Sequence, residues 1–231
     1  MTGFIVTGGV NFEKYLIPCL ESIKANAQDP YKLIVYANGC TEEELQLLEP
    51  YQGDIDDLIH IAPEDQKEFG GLTGTWNHGV DLAKSLGCTK VIICNDDIEF
   101  DSTLPYFVNT ISEPLVAYGP VSNNAGSGAK WGQQASMPSF GVLTTKQING
   151  FCMGFLIETL EANMCAGTCY FNPLLPFGGN EREWCDRFAK IPGSTCKVIK
   201  GAFVKHHANG SYLKLKGWSN LKANPKVWGT K

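Results

Sequence analysis

The chain has 231 residues, of which 43% are hydrophobic and 19% charged, and its formal net charge is -5 at pH 7. A chain of this length and composition can bury the core of one α/β domain, so an intrinsically disordered protein is excluded. The acidic balance argues against broad electrostatic binding to nucleic acid, which requires an excess of basic residues.

The N-terminal half alternates β-rich and helical patterns, which indicates a mostly parallel sheet. A Gly- and Thr-rich segment, 70–75, is predicted as a loop. The predicted elements are strand 4–7, helix 13–27, strand 33–36, a helix beginning at Thr41, strand 58–61, a helix through Trp76 to Ala83 and strand 91–94.

The pattern changes after Ser112, where Pro, Gly, Ser and Asn residues interrupt short strands, and this half is predicted as a mixed sheet with long loops. No linker separates the two halves, so we expect one α/β domain. The predicted elements here are strand 115–118, strand 141–144, helix 181–189 and strand 197–204.

Nine cysteines, an odd number, lie mostly in apolar stretches, as reduced thiols of an intracellular protein do. Cys165 and Cys169 are a close pair, but without a second pair or a nearby His buried thiols are favoured over a zinc site. A strand is predicted almost at residue 1, and no apolar stretch is long enough to span a bilayer. We therefore expect no transmembrane segment and a cytoplasmic location, in the host cytoplasm if the chain is viral.

Asn95-Asp96-Asp97 directly follows the most apolar strand. Carboxylates just past the C-terminal end of a central parallel strand lie where α/β sheets open their ligand crevice. Such oxygen ligands suit Mg²⁺ or Mn²⁺, which can orient a sugar nucleotide and neutralise its leaving diphosphate. A turn or helix cap also explains so short a triplet, but the buried strand before it favours a metal site.

Segment 178–187 has a Gly pair that leads into a helix N-terminus crowded with carboxylates. An inverting glycosyl transfer requires one carboxylate to take the proton of the acceptor hydroxyl, and Glu181 is the candidate. The alternative is helix capping, with Asn180 as N-cap and Glu183 closing a capping box. Capping explains Glu183 better than it explains Glu181.

His206-His207 follows the predicted strand 197–204 and contains half of the four histidines in the chain. The pair can ligate a metal or a phosphate, and an exposed polar loop is the alternative. Segment 70–77 can let a nucleotide approach its glycines. It contains neither GxxxxGK[ST] nor GxGxxG, which argues against a P-loop NTPase or a dinucleotide-binding dehydrogenase.

Taken in order, these segments resemble the family 2 glycosyltransferases of GT-A fold, especially the rhamnosyltransferase-like branch. Segment 36–41 is similar to the family's D-N-G-S-T, and 71–79 to its G-x-x-G-x-x-N-x-G. The triplet 95–97 stands where the family has DxD, or NPD in that branch. The remaining similar segments are 150–153, 179–187 (G-E-D-x-E-x-x-x-R) and 207–211 (H-x-x-G-S).

The resemblance implies an inverting hexosyl- or deoxyhexosyltransferase that uses Mn²⁺ or Mg²⁺, a nucleoside-diphosphate sugar and a glycan or glycoconjugate acceptor. Glu181 would be the catalytic base, and Asp97 with His206 or His207 would bind the metal. The donor-binding residues would be Thr7, Gly8, Asn38, Gly74, Asn77, Asn95 and Asp96. The residues on the acceptor side, or supporting it, would be Glu183, Trp184, Arg187 and Trp131.

The implied domain covers 1–211, with a nucleotide-sugar-binding half, 1–111, and an acceptor half, 112–211. The tail, 212–231, is rich in Lys and carries Trp218 and Trp228. It is predicted either as a lid over the donor phosphates or as a solvated amphipathic helix. Truncation after Ser211 tests the lid, which predicts weaker donor binding by the shortened chain.

Three positions depart from the family pattern, namely Ala37, Asn95 and Asn180. The nucleotide base therefore stays undefined. One alternative function is a nucleotidyltransferase, although segment 7–11 lacks the Lys or Arg expected in its phosphate-binding loop. The other is a non-catalytic module that binds a sugar or a nucleotide, and the three departures from the family pattern are the reason to consider it.

Overall fold

The computed structural model describes residues 1–9, 11–28 and 30–207, without the side chain of Lys67; the predicted tail lies outside them. The strands are β1 Thr2–Gly8, β2 Tyr31–Asn38, β3 Asp57–Ile61, β4 Lys90–Asn95, β5 Ile98–Phe100, β6 Val116–Ser122, β7 Val142–Thr145, β8 Cys152–Leu156 and β9 Thr195–His206. The α-helices are α1 Leu16–Asn26, α2 Glu42–Gln46, α3 Gln66–Phe69, α4 Gly71–Ser85, α5 Leu104–Thr110, α6 Ile157–Ala162 and α7 Asn180–Phe188. Two 3₁₀ turns cover Glu49–Tyr51 and Gly126–Trp131.

All the described strands belong to one sheet, whose order is β3-β2-β1-β4-β8-β6-β9-β5, with β7 paired to β9. The first four strands in this order are parallel, and β8 joins β4 in antiparallel orientation. The second half mixes both orientations. The predicted parallel N-terminal half and mixed C-terminal half are therefore confirmed.

The short connection between β4 and β5 shows that the sheet curls. Only Asp96 and Asp97 join these two strands, although they lie four places apart in the strand order. Four strand spacings in a flat sheet would cover about 19 Å. The three Cα–Cα steps from Asn95 to Ile98 reach at most about 11 Å. The turn therefore lies where the far arm of the sheet returns towards β4.

Helices cover both faces of the sheet, and each face has its own apolar cluster. On one face α1 and α5 pack on inward residues such as Phe4 and Val6. On the other face α4, α6 and α7 pack on residues such as Ile5 and Ile34. The alternation of Phe4, Ile5 and Val6 between the two clusters is the period-2 pattern of a strand that is buried on both faces.

Most predicted elements are present, although several boundaries differ from the predicted ones. Helix α1 begins at Leu16 instead of residue 13, because residues 12–15 form turns. Thr41 caps α2 as predicted, and its side chain and Glu44 form a complete capping box. The prediction of a loop over 70–75 is wrong, since α4 begins at Gly71. The sequence also missed β5, β8, α3, α5 and α6.

The nine cysteines are free thiols, and seven of them are buried as predicted. The prediction of buried thiols is wrong for Cys165 and Cys169, which are partly exposed. Among the described helices, none has the length and apolar character needed to cross a bilayer.

Candidate functional site

The carboxyl ends of β1, β2 and β4 bring the predicted donor-side residues to one edge of the sheet. Thr7 pairs in register with both Tyr36 and Asn95, so Gly8, Asn38 and the triplet after β4 lie at the same edge. The Thr7 hydroxyl lies 3.3 Å from the Thr75 hydroxyl and so ties β1 to α4. The sequence predicted a ligand crevice at this edge.

Within the triplet, Asp96 and Asp97 are both buried, with 2% and 4% of their surfaces exposed. Asp96 Oδ2 accepts a hydrogen bond from the Gly9 amide at 3.0 Å, so this carboxylate fastens the end of β1 to the end of β4. The carbonyl of Asp97 accepts the His207 amide at 2.9 Å. Both acids are thus held rigidly by backbone contacts.

Asn95 contributes a buried acceptor to the same edge. Its backbone amide donates to the Phe151 carbonyl at 3.1 Å, which joins β4 to the start of β8. Its side-chain Oδ1 is buried and accepts no hydrogen bond from the described residues. An unsatisfied buried acceptor costs about 1–3 kcal/mol, so this atom is suited to a donor group or a cation.

His206 is oriented by three contacts from outside its own strand. Its Nδ1 lies 2.6 Å from the Asn124 carbonyl, and its ring stacks on Phe151 with centroids 5.0 Å apart. Its Nε2 lies 3.4 Å from Asp97 Oδ1. A carbonyl only accepts hydrogen bonds, so Nδ1 carries a proton and Nε2 is the nitrogen that faces the carboxylate.

His207 faces a different partner. Its Nε2 lies 2.5 Å from Glu99 Oε1, and Lys205 Nζ lies 2.8 Å from the same oxygen. Burial alone would raise the pKa of Glu99, but the hydrogen bonds from Lys205 and His207 hold it below its usual range. The geometry therefore distinguishes two histidines that the sequence could not.

Asp97 Oδ1 and His206 Nε2 face each other at 3.4 Å, and the buried Asn95 Oδ1 belongs to the same edge. The carboxylate and the amide oxygen suit Mn²⁺ or Mg²⁺, and the imidazole favours Mn²⁺, because Mg²⁺ prefers oxygen ligands. Across the described residues, no three His, Cys, Asp or Glu side chains converge as a ready metal cluster. Two such ligands and an amide oxygen leave room for the diphosphate oxygens of a donor.

Glu181 lies in the first turn of α7, after Gly179 at φ 75°, a left-handed conformation that glycine adopts without strain. Its side chain packs on Gly150, where a Cβ would lie 3.5 Å from Glu181 Cβ and Cγ and 3.1 Å from Trp76. Gly150 adjoins Phe151, which bonds Asn95, so Glu181 and the triplet flank one edge. Burial raises the pKa of Glu181, as a general base working near neutral pH requires.

The capping alternative for this helix is wrong in its details. Gly179 is the N-cap, and its carbonyl accepts the Glu183 amide at 2.8 Å. Asn180 is the first helical residue and is 1% exposed; its Nδ2 donates to Thr73 Oγ1 at 3.0 Å. Asn180 therefore fastens α7 to α4, which leaves Glu181 without a capping role.

Gly74 and Asn77, both predicted to contact the nucleotide, have structural partners in the fold. A Cβ at Gly74 would lie 1.8 Å from the Phe69 carbonyl, so this glycine permits the close packing of α3 on α4. The Asn77 side chain donates to the Phe171 carbonyl and accepts the amides of Tyr170 and Phe171 at 2.8–3.0 Å. These contacts occupy the side-chain amide of Asn77. The sequence could not show this, because an aligned N-x-G motif does not reveal which groups a side chain reaches.

Trp131 and Trp184, both predicted on the acceptor side or supporting it, differ in their exposure. Trp184 is fully buried and packs on Phe155 and Phe188, with ring centroids 4.9 and 4.5 Å away. It belongs to the core, which leaves it a supporting role. Trp131 is partly exposed with Lys130 over its ring, and Phe140 is fully exposed. These two remain accessible to a ligand.

Arg187 supports α7 with its whole guanidinium. The group bonds both carboxylate oxygens of Glu183 at 3.1 and 3.3 Å and the carbonyls of Asn163 and Tyr170. All its partners among the described residues are other side chains and carbonyls of the domain. This favours a role in orienting helix α7 over a contact with the donor phosphates.

We expect Arg187→Ala to lower the free energy of unfolding by about 1–3 kcal/mol, because it leaves one carboxylate and two carbonyls without their donor. Arg187→Lys should restore little of this loss, since an ammonium lacks the planar fork of donors. Urea denaturation measures the change. If Arg187→Ala kept wild-type stability but bound nucleotide more weakly, Arg187 would instead be a contact for the donor phosphates.

Sequence reasoning missed Asn123 and Asn124, whose contacts orient His206. They lie 83 and 82 positions before it in the chain, in a stretch that the sequence shows only as polar loop. The pairing of β6 with β9 brings them together. A correct register for these two parallel strands was the one signal that would have found them.

A family model described as glycosyl transferase family 2 matches residues 5–171, more than half of the chain. No curated protein matches the chain in sequence. Among solved structures, GalNAc-T7 with UDP, GalNAc and Mn²⁺ has 12% identity and a TM-score of 0.68, over 89% of this chain and 44% of that one. S. aureus TarS 1–349 in complex with UDP-GlcNAc has 13% identity and a TM-score of 0.62, over 91% and 60%.

The chain thus spans 44% and 60% of the lengths of these two proteins. At such identities the likeness shows the shared fold, and it agrees with the predicted GT-A architecture. The rhamnosyltransferase-like branch stays a prediction. The family match runs from within β1 to Phe171, whose amide bonds Asn77. It includes the triplet after β4. The chain belongs to glycosyl transferase family 2.

Proposed function

We propose that this glycosyltransferase performs an inverting, metal-dependent transfer of a sugar from a nucleoside-diphosphate sugar to a hydroxyl of a glycan or glycoconjugate. The observation that carries the proposal is the 3.4 Å approach of His206 Nε2 to Asp97 Oδ1 at the end of β4. A carboxylate and an imidazole nitrogen at the carboxyl ends of the strands of an α/β sheet suit a divalent cation.

Asp97 and His206 would hold the divalent cation, and Asn95 Oδ1 would face it or the donor. When bound there, Mn²⁺ or Mg²⁺ would neutralise the negative charge that develops on the leaving diphosphate. His207 is left out of the metal site because Glu99 holds it. Thr7, Gly8, Asn38 and Asp96 would form the donor side of the crevice.

Glu181 would act as the general base. It accepts the proton of the acceptor hydroxyl while that oxygen forms a bond to the anomeric carbon. The bond from this carbon to the diphosphate oxygen breaks, and the diphosphate leaves with the electron pair. Because attack and departure occur on opposite faces, the anomeric configuration inverts. Half-burial in the first turn of α7 keeps the Glu181 side chain in place for this transfer.

The division into a donor half, 1–111, and an acceptor half, 112–211, belongs to the same proposal, as does a cytoplasmic location. UDP sugars are the first donors to test, since TarS was crystallised with UDP-GlcNAc and GalNAc-T7 with UDP, GalNAc and Mn²⁺. The residues that would select the acceptor lie beyond β6, where Trp131 and Phe140 are exposed to solvent in whole or in part.

A panel of UDP, GDP and dTDP sugars tests the proposal. Release of nucleoside diphosphate is measured with Mn²⁺ and, in parallel, with EDTA, and the product configuration is read from the anomeric proton by NMR. The proposal predicts metal-dependent release with at least one donor and an inverted product. Nucleotide binding without release from any donor, with acceptors supplied, would favour the non-catalytic module.

A nucleotidyltransferase is disfavoured by the turn after β1. Segment 7–11 contains no Lys or Arg, and Lys14, which lies just before α1, has its Nζ over the Tyr15 ring. The first turn of α1 carries no charge that would hold a triphosphate. Release of pyrophosphate from a nucleoside triphosphate and a sugar phosphate would revive that alternative.

A further inference from the structure

The turn after β6 holds His206 more firmly than the strand pairing alone requires. Asn123 Oδ1 accepts the His206 amide at 2.7 Å, and Asn123 Nδ2 donates to the His206 carbonyl at 3.3 Å. One side-chain amide thus bonds both backbone polar groups of the same residue. The next carbonyl in the chain, that of Asn124, accepts the proton on His206 Nδ1.

The turn itself is fixed from behind. Gln134 brackets it, since its Oε1 accepts the Ala125 amide at 2.9 Å and its Nε2 donates to the Asn123 carbonyl at 2.5 Å. The buried Ser122 hydroxyl accepts the Asn124 amide at 3.1 Å. The Asn124 carbonyl therefore has little freedom to turn away from His206.

We propose that Asn123 is a positioning residue for the metal site, which holds His206 so that Nε2 faces Asp97. The inference rests on the proposed function and adds to it a residue that touches neither metal nor substrate. The reasoning is chemical: an imidazole ligates through the nitrogen that lacks a proton, so the contact made by the other nitrogen decides which one is available. The clamp on the backbone and the carbonyl on Nδ1 together select Nε2.

Asn123 and Asn124 provide a matched pair of variants. Both are exposed asparagines in one turn, but the Asn124 side chain takes part in no described hydrogen bond, and Asn124 acts through its backbone. Asn123→Ala removes the clamp, whereas Asn124→Ala leaves both the clamp and the carbonyl. Asn123→Asp keeps the acceptor for the His206 amide and serves as the conservative variant.

Two measurements on the full chain separate positioning from a general loss of structure. Long-range ¹H–¹⁵N NMR, recorded over a pH series, reports the His206 tautomer in the metal-free protein. EPR of Mn²⁺, alone and with UDP, reports metal affinity. Circular dichroism checks that each variant is folded.

We expect wild type and Asn124→Ala to show the Nδ1–H tautomer and Mn²⁺ affinities within about twofold of each other. Asn123→Ala should give a mixture of tautomers and bind Mn²⁺ about tenfold more weakly, the lower end for a group that orients a ligand. Asn123→Asp should recover most of this affinity. If Asn123→Ala keeps the wild-type tautomer and Mn²⁺ affinity, the inference is overturned while the proposed function stands. If wild type binds no Mn²⁺ with or without UDP, the proposed metal dependence fails and the inference fails with it.

Discussion

Asp97→Ala is expected to lose metal-dependent release of nucleoside diphosphate by about 10²–10³-fold, because several kcal/mol of charge stabilisation depend on the ligand it removes. The loss should not be recovered by raising the donor concentration. Removing the carboxylate also leaves His206 Nε2 without the acid that lies 3.4 Å away. Initial rates with and without added Mn²⁺ measure the effect.

Asp54→Ala is the control for this variant. Asp54 precedes β3, at the opposite edge of the sheet from the triplet, and forms an exposed ion pair with Lys24. An exposed pair contributes about 0–1 kcal/mol, so the rate of Asp54→Ala should equal that of wild type. Undiminished metal-dependent release by a folded Asp97→Ala protein would exclude Asp97 as the metal ligand.

Glu181→Gln is expected to keep donor binding and to lose transfer by about 10²–10⁴-fold, the usual contribution of a general base. The amide is nearly the same size and accepts no proton near neutral pH. Glu158→Gln is the matched control, since Glu158 is also an acid in the first turn of a helix, but α6 begins beside Thr89 at the opposite edge of the sheet. Normal transfer by Glu181→Gln would exclude the mechanism.

The pH profile of wild type should carry the signature of Glu181. A base must be ionised, so kcat/KM should rise with pH through the pKa of this carboxyl, which burial places above its usual range. Glu158→Gln should keep that acid limb. A carboxyl whose pKa is raised by folding binds its proton more tightly in the native state, so its ionisation opposes folding as the pH rises through that range. A neutral amide at this position carries no such penalty, and Glu181→Gln should therefore be no less stable than wild type at neutral pH.

The fold was predictable where one local signal decided the structure. Strand β4 is an uninterrupted apolar run, and such a run before polar residues indicates a buried parallel strand. Thr41 and Glu44 form the capping box that their spacing indicates. The position of the triplet at the crevice followed from this strand, since ligand sites of α/β sheets open at the carboxyl ends of the strands.

The errors come from contacts between distant segments. Gly71 and Gly74 look like a flexible loop, yet they lie in the first turn of α4, where the missing side chains leave room for Phe177 and the Phe69 carbonyl. Trp184 and Asn77 have the residue types of ligand contacts, but the core and the segment 170–171 occupy them. The choice between His206 and His207 depends on Asn124 and Glu99, and no local pattern contains those contacts.

Binding of UDP, GDP and dTDP to wild type and Asp97→Ala, each with and without Mn²⁺ and followed by thermal shift, tests the central claim most directly. The claim is that the edge formed by Asn95, Asp97 and His206 holds a nucleoside diphosphate through a divalent cation. It predicts that at least one nucleotide raises the melting temperature of wild type when Mn²⁺ is present, and that EDTA or Asp97→Ala removes the rise. An equal rise without Mn²⁺, or no rise with any of the three nucleotides, would contradict it.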